Sequence, residues 1–355
     1  MTGATTKETN WRRELLVSYG CMFLWISLSA VVILFNKYLL SYGDFPYPIG
    51  LTTIHMGFCS ILAYVLVKSG VVQGVDISFD TYLRAIVPIG VLFSVVLWLN
   101  NAAYLYLSVS FIQMLKACQP ASVFFLTVLF RIETYSHLTA LNMAVIGIGV
   151  VIASAGEINF VVVGVVIQLI AIVSESVRIT LIQILLQKRG IKLNPITTLY
   201  YVAPCCFVCL LLPLMLFEMD SMLTSEVSFV PMIPVLLVNA SAAFVLNLSV
   251  FLLIGKTSAL TLNIAGVVKD WLLIGLSVLI FKSPVTPMNL FGYSIAFAGV
   301  AWYNYKKIQA AKLKNETEQK APEKGEEAAL AFHEKEADPA IRVEAEETPL
   351  LQKSY

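Results

Sequence analysis

From Leu15 to near Tyr305 the chain runs in apolar stretches of twenty residues and more, interrupted only by Pro, Gly and short charged clusters. A bilayer core of about 30 Å takes roughly 20 apolar helical residues per crossing. Lipid offers no partner to an unpaired backbone group, so such runs fold as membrane-spanning helices. The punctuation predicts ten, over residues 15–40, 47–67, 83–106, 108–130, 138–155, 160–187, 195–217, 230–254, 258–281 and 288–305. Charged residues make up 13% of the 355, where an ordinary globular domain carries about 25%. That composition excludes a soluble enzyme, a nucleic-acid binder and a secreted disulfide scaffold. The six cysteines (Cys21, Cys59, Cys118, Cys205, Cys206 and Cys209) all fall inside apolar segments. They read as small buried residues, not as a disulfide framework or a metal site.

Charge divides the chain. Residues 312–355 hold seven Lys/Arg against eleven Asp/Glu and lack the apolar density for a core, so this acidic tail is expected to be disordered. Fourteen basic residues, from Lys7 to Lys314, fall on the side of the predicted spans that carries both termini, against Lys282 and Lys37 on the other. The positive-inside rule then puts both termini in the cytosol. With fourteen residues before the first span, neither a cleavable signal nor a Ser/Arg-rich transit peptide is expected.

The two halves resemble each other. Ser108 stands eight residues before Lys116 in the fourth span, and Thr261 eight before Lys269 in the ninth. The helices that follow end at Phe130-Arg131 and Phe281-Lys282, and the closing spans carry Gly149-Val150 and Gly299-Val300. A repeat of five spans inserts with opposite orientation each time. The expected architecture is therefore an all-α polytopic membrane protein of ten transmembrane helices in two inverted five-helix repeats. Residues 1–14 are a cytosolic N-terminus, 15–155 the first repeat, 156–311 the second and 312–355 the tail. Inverted repeats with polar residues in matching helices point to an alternating-access carrier, with its site near the bilayer midplane.

Five charges lie well inside spans: Lys116, Glu175, Arg178, Lys269 and Asp270. Each costs around 2.5–3.5 kcal/mol at a helix centre, which makes it a site candidate by default. Glu175 and Arg178 are spaced for an internal ion pair. Lys269 and Asp270 point about 100° apart, too divergent to satisfy each other fully. Lys116 has no acid near it in sequence. Two lysines in matching inverted helices would face one cavity, and an ammonium suits a phosphate oxygen. Asn100, Asn101 and Asn247 are candidates either for hydrogen bonding a sugar or base, or for joining helices. Tyr200 and Tyr201 read as a cavity wall or an interfacial belt. Gly147, Gly149, Gly164, Gly266 and Gly275 are expected where helices touch, and His55 as a packed, hydrogen-bonded histidine.

The strings "IHMGF", "SVSFIQMLKA", "GEINF", "LLQKRGIKLNPITTLYYVAPC" and "GVVKDWLLIGLSVLIF" resemble the plant triose-phosphate translocator and nucleotide-sugar transporter family, most of all its Lys-Asp branch. The resemblance covers roughly residues 15–310 and implies a ten-helix drug/metabolite-transporter fold. It also implies exchange of a phosphorylated sugar or nucleotide sugar for phosphate or a nucleotide. Two site lysines of the plastid phosphate translocators fall on Lys116 and Lys269. Their histidine and threonine fall on Leu97 and Asn100, their tyrosine on Leu246, and the arginine of their Lys-Arg pair on Asp270; many relatives carry an arginine at Asn263. The reversed charge at Asp270 fits a larger ligand, bonded to Asn100, Asn247 and Asp270, better than a small dianion held by three cations.

The expected partners are an anionic phosphorylated substrate, its counter-substrate and the lipid bilayer, with no cofactor and no nucleic acid; a homodimer is compatible with such a chain. The substrate site is expected at Lys116, Lys269, Asp270, Asn100, Asn247 and Tyr201, in a Golgi or endoplasmic-reticulum membrane. No HExxH, GxGD or Ser-His constellation supports an intramembrane enzyme. A receptor built on a transporter fold is the alternative. Glu346, Leu350 and Leu351 form an acidic-dileucine pattern, and the sequons at Asn239 and Asn247 lie inside spans.

Overall fold

The computed structural model describes residues 2–189, 195–225, 230–256 and 259–336. Glu346, Leu350 and Leu351 lie outside the described residues, as do the side chains of Thr261 and Asn263. Ten long helices follow one another: α1 Thr2–Ser41, α2 Pro48–Lys68, α3 Phe79–Tyr106, α4 Val109–Leu129 and α5 His137–Ala155, then α6 Val162–Arg189, α7 Ile196–Thr224, α8 Ile233–Lys256, α9 Ala259–Phe281 and α10 Pro287–Glu336. Among the described residues, eight segments, in α1 through α8, are long and apolar enough to cross a membrane, and none forms a strand.

Punctuation residues explain the boundaries. Leu107, at φ −118° and ψ 155°, leaves the helical region and separates α3 from α4, where Ser108 Oγ accepts from the Phe111 N–H at 3.1 Å as an N-cap. α4 is itself broken at Ala117–Cys118, between Val109–Lys116 and Gln119–Leu129. Pro120 has no N–H to give the Lys116 carbonyl four residues back, so the ladder fails there. π turns at Tyr82–Ile86 and Leu214–Glu218 adjoin Pro88 and Pro213, which remove ladder donors in the same way. Arg131 and Lys282, directly after the paired phenylalanines, both adopt the left-handed conformation, at φ 56° and 51°. Lys116 precedes Arg131 by fifteen residues and Lys269 precedes Lys282 by thirteen. The two residues of the α4 break equal that difference.

The packing follows a pattern. α2 lies against α7, α4 against α9, α1 against α8 and α9, and α3 against α6 and α7; α4 also packs on α6, and α2 on α8. α5 and α10 meet through small residues. A Cβ added at Gly149 would come within 2.5 Å of the Ala296 nitrogen, and one at Gly299 within 2.6 Å of Ile146 Cγ1. Asn142 Nδ2 donates to the Gly299 carbonyl at 2.9 Å and Asn289 Nδ2 to the Ala153 carbonyl at 2.6 Å, fastening the same pair of helices. Gly164 sits against Tyr106 and Leu107, but Gly147, Gly266 and Gly275 have open space around them, so the expectation of close packing fails at those three.

By contact, Met1–Tyr303 forms one compact unit and Asn304–Tyr355 a second. Within the second, helix is described as far as Glu336. From residue 312 to Glu336 the stretch holds seven Glu, five Lys and four Ala, all good helix formers.

Candidate functional site

The half-helix Val109–Lys116 of α4 packs against α9, which carries Lys269 and Asp270. Lys116 therefore stands at the C-terminal end of a short helix, where the backbone dipole favours a cation. Lys269, Asp270 and Glu175 lie close enough to act electrostatically on its ammonium. The structure thus brings Lys116 near Glu175 and the adjacent Lys269-Asp270 pair, all remote from it in sequence. Among the described residues, no hydrogen bond or ion pair reaches Lys116 Nζ.

The remaining charges are compensated. Lys269 Nζ stands 3.3 Å from Asp270 Oδ1 and 5.8 Å from the Trp25 ring centre. The four-carbon stem of lysine spans part of the angle between these neighbours, and the contact engages one of the two carboxylate oxygens, in keeping with a pair that does not satisfy itself fully. Arg178 grips Glu175 bidentately, Nε to Oε2 at 2.7 Å and Nη2 to Oε1 at 2.6 Å, as the i, i+3 spacing predicts. Its guanidinium lies over the Phe93 ring at 4.7 Å. All four side chains keep between 18% and 32% of their surface accessible, although they stand mid-helix.

Asn100 belongs to the α3–α6 contact. Its Nδ2 donates to the Val96 carbonyl at 2.8 Å and its Oδ1 accepts from Gln168 Nε2 at 3.3 Å. Asn247 donates to the Ala243 carbonyl of its own helix at 2.8 Å. Tyr201 lies elsewhere: with Tyr64, Tyr82 and Tyr200 it lines a cavity of about 550 Å³ between α2 and α7, and its hydroxyl donates to the Val75 carbonyl at 2.6 Å. None of the two lysines, Asp270, Asn100 and Asn247 lines that cavity.

The family is decided by comparison with known proteins. Residues 17–304 match the Triose-phosphate Transporter family. The chain belongs to that family. Two probable sugar phosphate/phosphate translocators of Arabidopsis thaliana are 50% and 51% identical to it over 329 residues, covering 92% of this chain and 93% and 94% of theirs. A third of the same description is 34% identical over 293 residues, or 81% of this chain and 94% of its own. This is a family of transporters, not of enzymes.

In this Triose-phosphate Transporter member, one polar system escapes sequence reasoning. His55 of α2 bonds through Nε2 to Asn239 Oδ1 of α8; Asn239 Nδ2 donates to Asn36 Oδ1 of α1 at 3.0 Å. Asn36 Nδ2 donates in turn to Asn101 Oδ1 of α3 at 3.1 Å, and Asn101 Nδ2 to Thr52 Oγ1 at 2.9 Å. All five side chains are buried. His55 is therefore the packed histidine that was expected, and Asn101 joins helices. The only sequence signal was an amide or imidazole inside each apolar run, without a hint of which meets which.

Proposed function

We propose that the chain is a secondary antiporter exchanging a phosphorylated sugar or nucleotide sugar for phosphate or a nucleotide across an endomembrane, by alternating access. The observation that carries this reading is the Lys116 ammonium, unpaired among the described residues at a break in α4, beside Lys269 and Asp270 on α9. An unpartnered cation in mid-bilayer is costly unless water or an anion reaches it. The names of the relatives, sugar phosphate/phosphate translocators, agree with an anionic phosphorylated ligand.

The architecture proposed with it is ten membrane-spanning helices in two inverted repeats. Counting five helices onward turns the α1–α8 contact into α6–α3 and the α1–α9 contact into α6–α4, while α2–α7 and α4–α9 map onto themselves. The shared left-handed ends at Arg131 and Lys282 support the same reading. Two halves rocking about a midplane site is how such repeats alternate access. Lys116 and Lys269 hold the phosphate; Asp270 reduces the positive charge and offers an acceptor to a hydroxyl or base. Purified protein in liposomes tests the proposal: counter-exchange of phosphate, nucleotides, sugar phosphates or nucleotide sugars is expected, and uptake of none of them sinks it.

A further inference from the structure

The geometry points to Arg178 as a further cation for the transported anion, and to Glu175 as a carboxylate that holds the anion's place when the site is empty. The inference rests on the antiporter reading above and adds residues to the same site.

A guanidinium fork accepts a phosphate with the same two parallel hydrogen bonds that it gives a carboxylate. Glu175 fills that fork here, with both oxygens engaged at 2.6 and 2.7 Å. The guanidinium plane rests on Phe93, which fixes its direction independently of the carboxylate. Two of its five N–H donors point at Glu175, and the others are not used in the ion pair. The half-helix that ends at Lys116 packs on α6, the helix of this pair, and the carboxylate acts electrostatically on that ammonium. Glu175 therefore stands where its negative charge serves both the guanidinium and the unpaired ammonium. A phosphate that reaches α6 competes with this carboxylate for the guanidinium fork. Neither side chain of the pair is sealed in the protein interior, Arg178 keeping 18% and Glu175 22% of its surface accessible. Displacing an internal carboxylate on loading, and restoring it on release, keeps the ligand from being held too tightly to leave.

The full-length protein in detergent is titrated with inorganic phosphate and with a nucleoside monophosphate, and thermal stabilisation is read as half-saturation. Arg178→Gln is expected to raise the half-saturating concentration tenfold or more, and Glu175→Gln to lower it threefold or more while slowing counter-exchange in liposomes. A merely structural ion pair moves both variants the same way, towards lower stability and weaker binding. Should Arg178→Gln fail to fold, Arg178→Lys decides, because it keeps the charge and loses the fork. Arg178 variants that bind as the wild type does, with Lys116→Gln at least tenfold weaker, overturn this inference and leave the antiporter reading standing. Glu175→Gln binding no tighter than wild type overturns the place-holder role. If Lys116→Gln also binds unchanged, or neither probe stabilises the wild type, the antiporter site itself is wrong.

Discussion

Lys37 of α1 donates from Nζ to the Tyr104 carbonyl at 2.6 Å and to the Leu107 carbonyl at 3.1 Å, so an ammonium on one helix closes the last turn of another. The final carbonyls of a helix have no partner within it and carry its negative dipole end. Ser41 Oγ reaches the same Tyr104 carbonyl at 2.7 Å. In the sequence Lys37 counts only as one of two basic residues on the far side of the bundle. Its charge is in fact buried between helices, at 8% exposure, and spent on the α3 terminus.

Lys37→Met is accordingly expected to destabilise the protein by about 1–3 kcal/mol, since it leaves the Leu107 carbonyl without its donor and the Tyr104 carbonyl with Ser41 alone. Unfolding in mixed detergent would show this as a lower midpoint. A midpoint equal to that of the wild type would mean that Ser41 or water satisfies the terminus alone.

The α5–α10 contact gives a paired test. A methyl group at Gly149 meets backbone atoms of Ala296 and Gly292, which cannot swing aside, whereas Gly147 faces open space. Gly149→Ala is expected to cost about 1–3 kcal/mol through forced separation of the helices. Gly147→Ala is expected to be neutral or to gain about 0.5–1 kcal/mol, because alanine loses less freedom in a helix. Equal melting temperatures for the two variants would contradict the close approach.

The all-helical class, the order of the long helices and the position of the charged residues were legible because membrane helices are continuous in sequence and a charge inside an apolar run stands out. Side-chain partners were legible only when local. Glu175 and Arg178, three apart, could be paired in advance. Asn36 with Asn101 and Asn239 with His55 could not, since a helix brings residues of distant spans to one level by packing alone. The acid near Lys116 was missed for that reason: Glu175 comes from α6 and Asp270 from α9. Glycines were misread where the open side of a helix mimics a contact in composition, as at Gly266 and Gly275.

Both termini are expected in the cytosol, on the fourteen-to-two distribution of basic residues. In sealed microsomes, added protease is expected to remove the residues that follow Leu313 without detergent. A tail protected until detergent is added would reverse the orientation.

The lysines supply the test closest to function. Lys116 and Lys269 lie on helices that pack together, α4 and α9, but their surroundings differ: one ammonium is unpaired among the described residues and the other stands 3.3 Å from Asp270. Replacing Lys116 by Gln removes a charge from the membrane without orphaning a partner, so Lys116→Gln is expected to express and melt like the wild type while losing most anion exchange. Lys269→Gln removes the same attraction but strands Asp270, so it is expected to lose exchange and some stability together. Asp270→Asn separates the two effects, because it frees Lys269 and is expected to tighten phosphate binding. Lys188→Gln, distant in sequence from both lysines, is the control and is expected to leave exchange unchanged. The double lysine variant is expected to be little worse than either single one, because a carrier that fails to bind through one half cannot complete its cycle. Wild-type exchange rates in both single variants would make the lysines structural and move the site elsewhere.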